Sequence, residues 1–223
     1  YKRQETFKEY EYDSQNRLSK TVFHIGNETQ TYRPIYERRA ADEAVYADNA
    51  VVGVTLDGAF TSRAEQDCYG RVTEKKLTIE GSTEALLTES YGYLETTAGF
   101  ETRLTGMVQV LTRRVKGEIK DTQRYTYDNN GNITAVRNGS GTEYHAKYTY
   151  DGINQLIRED NAVLGKSWTF SYDTAGNILS KKEYAYTTGT LGSVLDTKTY
   201  TYAGTGWKDR LISWDGEAIE YDA

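Results

Sequence analysis

Aspartate recurs in this sequence at Asp13, Asp67, Asp128, Asp151 and Asp173, followed three residues later by Asn16, Gly70, Gly131, Asn154 and Gly176. Carboxylates at so regular a setting invite a catalytic or metal reading. Asp128-x-Asn130-x-Asn132 even imitates the opening of a calcium loop. Such a loop needs Gly at its sixth position and a bidentate Glu at its twelfth, where this chain has Ile133 and Gly139. The sister segment Asp173-Thr174-Ala175-Gly176-Asn177 lacks the third-position ligand as well. Turn chemistry covers every copy. An Asp carboxylate accepts hydrogen bonds from the amides of its own turn, and Gly or Asn takes the left-handed conformation that closes it. We assign the ten residues to turn structure, with no metal ligand, no catalytic residue and no cofactor among them.

The remaining reactive side chains are sparse. His24 and His145 stand far apart and in no H-E-x-x-H or H-x-H pattern, so they read as strand-surface residues. Cys68, the single cysteine, falls in a hairpin loop and cannot form an internal disulfide framework. Neither a G-x-S-x-G elbow nor a complete phosphate-binding loop is present. The exposed-platform chemistry of aromatics is the alternative to weigh. Trp168, Trp207 and Trp214 crowd the last third, and Trp207 sits in the irregular loop Gly204-Thr205-Gly206-Trp207-Lys208. These three are the candidate carbohydrate contacts.

The Asp turns belong to a repeated unit. Tyr125-Thr126-Tyr127-Asp128 recurs as Tyr148-Thr149-Tyr150-Asp151, as Phe170-Ser171-Tyr172-Asp173 and as Tyr10-Glu11-Tyr12-Asp13, and Asp67-Cys68-Tyr69-Gly70 keeps the second half. Two residues beyond each Gly or Asn stands an aliphatic: Leu18, Val72, Ile133, Leu156 or Ile178. Tyr-x-Tyr puts two rings on one face of a strand and Thr or Ser on the other. A type I turn closed by a left-handed residue then makes a three-residue hairpin loop with a G1 bulge. With residues 129–131 as the loop, Tyr127 should face Ile133, Tyr125 should face Ala135, and Thr126 should meet Thr134. The rings at Tyr10, Tyr12, Tyr125, Tyr127, Tyr148, Tyr150, Phe170, Tyr172, Tyr200 and Tyr202 are expected to form a packed ladder. One such hairpin is marginal, so stability must come from neighbouring repeats.

Composition agrees. The chain of 223 residues holds 20 Tyr and a single Pro, with a formal net charge of -6. Basic and acidic residues are interleaved, which weighs against nucleic acid as a partner. No run approaches the length of a membrane helix. Thr, Lys and Glu opposite the Tyr face also argue against a lipid-facing barrel. No signal peptide opens the sequence.

The links between units read as turns: Asn138-Gly139-Ser140-Gly141, Asp160-Asn161, and a tight two-residue turn at Asp215-Gly216. Two stretches fit poorly. Tyr36 to Asp48 reads as an irregular excursion, with a helix carrying Ala40, Ala41, Ala44 and Val45 as the alternative. Between Ser82 and Val115 the Asp turn is missing, and Gly99 and Gly106 suggest strands joined by longer loops. The expected organisation is a single array over residues 1–223, with irregular insertions about 33–49 and 82–115, truncated within a repeat at the C-terminus. The fold class is all-β: a curved antiparallel meander of hairpins with little or no helix.

These units, D-x-x-[GN]-x-[LIV] preceded by Tyr-x-Tyr, resemble the YD repeats of bacterial Rhs proteins, of the Tc toxin B-component and of teneurins. The resemblance covers most of the chain, best at residues 120–223 and 7–20. It implies an open segment of a spiral β-shell that encloses or displays a C-terminal toxin or effector, or supports cell-surface contact, without enzymatic activity. The implied partners are the rest of the parent chain and its effector domain, and the implied location is secreted or at the bacterial cell surface. A carbohydrate- or cell-surface-binding module using exposed Tyr and Trp is the alternative function. Self-association through open sheet edges is a further expectation. The Pro-rich self-cleavage signature of many Rhs proteins is missing, since the only Pro is Pro34.

Overall fold

The computed structural model describes residues 6–39, 45–47, 51–98 and 101–221. Among them every regular element is a strand: β1 (Thr6–Tyr12), β2 (Leu18–Ile25), β3 (Glu28–Ile35), β4 (Glu37–Arg39), β5 (Val45–Ala47), β6 (Gly53–Leu56), β7 (Phe60–Gln66), β8 (Val72–Ile79), β9 (Leu87–Ala98) and β10 (Glu101–Val115). There follow β11 (Glu118–Tyr127), β12 (Ile133–Asn138), β13 (Tyr144–Tyr150), β14 (Leu156–Asn161), β15 (Lys166–Tyr172), β16 (Ile178–Ala185), β17 (Asp196–Tyr202), β18 (Leu211–Trp214) and β19 (Glu217–Ala218). Contacts divide the chain into two compact units, Tyr1–Thr122 and Gln123–Ala223, the division falling inside β11.

In the first unit β1, β2, β3, β6, β7, β8, β9 and β10 pair in that order, each antiparallel to the next. β4 and β5 pair with each other. The described part of the 36–48 stretch is therefore strand and not helix, while residues 40–44 and 48 lie outside the described residues. The regular array also runs further than expected, because Arg33, Pro34 and Ile35 pair with Thr55, Val54 and Gly53. Pro34 lies past Tyr32, the last residue of β3 paired with β2, so its missing N–H breaks no bond to that neighbour.

The 82–115 region is a hairpin of long strands, β9 and β10. Gly106 sits inside β10, not in a loop, where the register shifts between Leu104 and Val108; Gly99 lies outside the described residues. Thr105 supports that irregularity, its hydroxyl donating to Leu94 O at 2.6 Å and accepting from Met107 N at 3.1 Å.

In the second unit β11 to β19 likewise pair in chain order. β17 divides its length between neighbours: residues from Asp196 to Thr199 pair with β16, and those from Tyr200 to Tyr202 with β18. Asp215 and Gly216, at φ 53° and 84°, form the two-residue turn joining β18 and β19. Asp160 and Asn161, expected in a turn, instead end β14, and the turn is the next segment, closed by Gly165 N on Ala162 O at 3.3 Å. Asp160 is buried and ion-paired to Arg158 at 2.8 Å.

The register corrects one expectation throughout. Tyr127 faces Ile133 as expected, but Thr126 then faces Ala135 and Tyr125 faces Val136, leaving Thr134 as an extra residue. The same shift falls just before Tyr12, Gln66, Tyr150, Tyr172 and Tyr202 on the first strand of their hairpins. Each hairpin thus carries two irregularities, the left-handed residue of its loop and a β-bulge just past the aliphatic. The bulge increases local twist. Even so, Thr126 and Thr134 bring their hydroxyls to 3.0 Å.

Few side chains are fully covered. The buried hydrophobic residues are Val52, Leu111, Ala135, Ala146, Trp168 and Tyr184. On β13, β15 and β17 the rings are half-buried while the alternating Thr149, Ser171 and Thr201 are exposed. The cohesion must therefore lie in strand pairing and in the groups that tie hairpins together.

Candidate functional site

The turn is the smallest working part. In each copy the Asp carbonyl accepts from the left-handed residue: Asn16, Gly70, Gly131, Asn154 and Gly176 donate to Asp13, Asp67, Asp128, Asp151 and Asp173 over 3.0–3.2 Å. Their φ values are 60°, 79°, 87°, 67° and 92°. One carboxylate oxygen accepts two further backbone N–H groups, two and four residues on, at 2.8–3.0 Å in every copy. In four copies the other oxygen accepts from the side chain four residues on: Arg17, Arg71, Asn132 or Asn177, at 2.6–3.0 Å. That fourth position always holds a side-chain donor, a signal present in the sequence beside the Gly or Asn.

These bonds set the electrostatics. Asp13 is held below the usual carboxylate range by the Arg17 backbone N–H and then its guanidinium. Asp128 and Asp173 are lowered first by the Asn132 and Asn177 carboxamides. At Asp67 burial opposes the ionised form, and the Arg71 hydrogen bonds outweigh it to give a net lowering.

The second part joins one hairpin to another. Past the bulge the ladder to the next hairpin has ended: β12 and β13 pair no nearer the turn than Ala135 with Lys147. The Ile133 carbonyl therefore needs another donor. It is met by the Tyr150 hydroxyl at 2.9 Å. Tyr172 does the same for Leu156 at 2.8 Å, Tyr93 for Val72 at 2.7 Å, Tyr36 for Leu18 at 2.9 Å and Tyr221 for Leu211 at 2.7 Å. Tyr150 and Tyr172, each standing just before a turn Asp, are thus staples whose rings span the gap that the bulge opens. Tyr36 and Tyr93 come from the stretches that looked irregular, and they hold staple positions without an Asp after them. Sequence reading missed both; the Tyr91-x-Tyr93 alternation was the available signal.

Around the staple the previous turn closes in. The Arg17 and Arg71 guanidiniums lie 4.5 Å over the Tyr36 and Tyr93 rings. Burial raises the Tyr93, Tyr150, Tyr172 and Tyr202 hydroxyls, and Asp67, Asp128, Asp151 and Asp173 respectively add to the rise. Successive turns also touch: Asn130 and Asn132 donate to Asn154 Oδ1 at 2.9 and 2.8 Å. Asn177 donates to Asp209 Oδ1 at 3.1 Å.

The ring ladder is uneven at its start, where Tyr10 and Tyr12 are exposed while Tyr125, Tyr127, Tyr148, Tyr150, Phe170, Tyr172, Tyr200 and Tyr202 are half-buried. The three tryptophans do not form one platform. Trp168 is only 7% exposed, donates its indole N–H to Glu183 at 3.2 Å and lies under Lys181. It is a packed residue of the sheet. Trp214 faces Tyr200 and is partly exposed, whereas Trp207 stands 75% exposed. Gly165-Lys166-Ser167 echoes the end of a phosphate loop, but it enters β15, with Ser167 fully buried and Lys166 ion-paired to Glu183 at 2.7 Å. Among the described residues no cluster of His, Cys, Asp and Glu has metal-binding geometry.

With this geometry in view, residues 150–190 match the RHS Repeat family model. That window holds two complete Asp turns and the Tyr172 staple. A search of curated proteins finds no match. Among solved structures, the TcdB2–TccC3–Cdc42 complex shares the fold with a TM-score of 0.53 at 15% identity, over 90% of this chain and 12% of that one. The Tc holotoxin pore of Photorhabdus luminescens gives 0.51 at 16% identity, again over 90% and 12%. The TcdB2–TccC3–TEV complex gives 0.51 at 15%, over 92% and 12%. This chain therefore spans about 12% of the length of the chains whose fold it shares. The class that the fold defines is an antiparallel β-hairpin repeat. Residues 150–190 are the part that carries the similarity to the RHS Repeat.

Proposed function

We propose that this chain is a wall segment of an Rhs-type β-shell that encloses a C-terminal toxin or effector domain of its parent polypeptide. The observation that carries the proposal is the tyrosine staple, which Tyr36, Tyr93, Tyr150, Tyr172 and Tyr221 each make to a carbonyl of an earlier hairpin, a bond that a further hairpin can repeat. A module of that kind extends a surface without needing a deep core, and the short set of buried side chains fits it. Secretion or exposure at the cell surface goes with this reading, and so does the absence of a catalytic role.

The test is protection of cargo. With the parent polypeptide carrying its C-terminal domain, trypsin should spare that domain until the shell is loosened by combined Asp128→Ala, Asp151→Ala and Asp173→Ala substitutions. Equal digestion with the shell intact and loosened would sink the proposal. A second reading, glycan contact, is favoured by the exposure of Trp207 in its loop. A glycan array with no signal above background, unchanged by Trp207→Ala, would dispose of it.

A further inference from the structure

The fourth residue after each turn Asp faces two ways. In the second unit it is a carboxamide that meets the tip of the next hairpin, and twice it holds its own Asp as well. Asn132 donates to Asp128 at 2.9 Å and to Asn154 Oδ1 at 2.8 Å, and Asn177 to Asp173 at 3.0 Å and to Asp209 Oδ1 at 3.1 Å. Gln155 sets its carboxamide nitrogen beside Gly176 of the following turn. In the first unit the same position is arginine, and the hairpin that follows has no Asp turn. The one after Arg17 runs on past Tyr36 into β4 and β5, and the one after Arg71 runs on past Tyr93. Residues 94–107 stand between the paired Tyr93 and Val108, where β11 and β12 need only residues 128–132 between Tyr127 and Ile133. The longer tip skips in register from Leu104 to Val108, which leaves the Thr105 carbonyl out of the β9–β10 ladder. Arg71 Nη1 donates to that carbonyl at 2.7 Å, while its Nε stays on Asp67 at 2.6 Å and its guanidinium covers the Tyr93 ring. The clasp is reciprocal, since Tyr93 gives its hydroxyl to Val72 O.

We propose that this fourth position matches each hairpin to the tip of the next: a carboxamide where an Asp turn follows, an arginine where a longer tip follows. Reach decides between them. A carboxamide is short and meets a turn lying at its own level. A guanidinium reaches further and carries five donors in a fixed fork, so it serves a carboxylate and a main-chain carbonyl together. Asn at position 71 could hold Asp67, as Asn132 holds Asp128, but would leave Thr105 O and the Tyr93 ring. Arg at position 132 could hold Asp128, as Arg71 holds Asp67, but would leave Asn154 Oδ1 with Asn130 as its donor. Arg17, bonded to Asp13 at 2.8 Å and 4.5 Å over the Tyr36 ring, is the second arginine of this kind.

The experiment is a reciprocal swap in the whole chain, read by hydrogen exchange, which reports each unit separately. Arg71→Asn should speed exchange about tenfold across β8 and at Met107, whose N–H rests on Thr105 Oγ1, and leave β13 to β16 unchanged. Asn132→Arg should speed exchange about threefold at Asn154, with β8 unchanged. Were arginine simply the stronger clamp, Asn132→Arg would slow exchange; were the carboxamide stronger, Arg71→Asn would. Either result, or no change from both swaps, would overturn the proposal. A third chain has residues 94–107 replaced by the Asp turn sequence of residues 173–177. There Arg71→Asn should no longer speed exchange in β8, and an undiminished tenfold effect would reduce Arg71 to a general stabiliser and sink the matching role. The cargo-protection test is indifferent to these results.

Discussion

The tyrosines divide by their hydroxyls. Tyr148 and Tyr150 lie on the same face of β13, yet only Tyr150 completes a carbonyl of the neighbouring hairpin. Replacing it strands that carbonyl at a half-buried position. Tyr150→Phe should therefore cost about 1 kcal/mol in denaturant melts, whereas Tyr148→Phe should cost a small fraction of that. Equal effects would mean that the rings alone matter. The turn carboxylates act at the same scale. Asp128→Ala removes the acceptor of two backbone N–H groups and of the Asn132 carboxamide. It should lower the melting temperature by roughly 2–4 °C, the size of a lost cap in a chain of this length. The turn was legible in the sequence because its chemistry is local; the staple's acceptor, seventeen residues away in chain order, was not.

Within each hairpin the two irregularities work together. The loop residue lets the strands turn, and the bulge twists them so that the aliphatic carbonyl faces the next hairpin. This coupling makes hairpin stability depend on pH at both ends of the scale. Asp13, Asp67, Asp128 and Asp173 are lowered in the fold, so their contribution is complete above the ordinary Asp range and is lost as pH falls through the folded values. Tyr93, Tyr150, Tyr172 and Tyr202 are raised, so theirs is complete below the ordinary Tyr range, about pH 10, and is lost as pH rises through the folded values. Tyr91, buried and bonded to Glu89, is pushed up to about 12 and belongs to the same alkaline limb. Melting temperature against pH should form a plateau with two shoulders. A triple variant at Tyr93, Tyr150 and Tyr172 to Phe should flatten the alkaline shoulder and leave the acid one in place.

Across each unit the forces are those of a chain of neighbours. Every staple joins one hairpin to another close in sequence, so damage should stay local. Hydrogen exchange on Tyr172→Phe should show lost protection around Leu156 and β15 and unchanged protection in β6 and β7; a uniform loss would reveal stronger cooperativity than nearest-neighbour pairing provides. The exception is the polar knot under the 186–195 loop. Arg158 pairs with buried Asp160 and donates to the carbonyls of Thr187 and Gly189 at 2.8 and 2.9 Å. Ser167, fully buried, donates to Thr187 O at 3.1 Å and accepts from Thr187 N at the same distance. Arg158→Ala leaves the Asp160 charge without its partner and should cost about 3 kcal/mol, the largest single loss among these substitutions.

Local chemistry could be read directly from the residues. Tyr-x-Tyr alternation, the Asp that caps its own turn and the Gly or Asn that takes positive φ act within a few residues, so the hairpins, their loops and the all-β class were determined by the sequence alone. The positions of the bulges were not, because a bulge is a compromise between two strands' registers, and no residue type marks Ser19, Thr73, Thr134, Ile157 and Leu179 alike. The same holds for Trp168, whose neighbours Glu183 and Lys181 lie on another strand. Tertiary structure alone decided that Tyr36 and Tyr93 serve as staples and that Trp168 is packed. Those roles depend on which carbonyl or side chain another hairpin brings within reach, and only pairing between hairpins sets that distance.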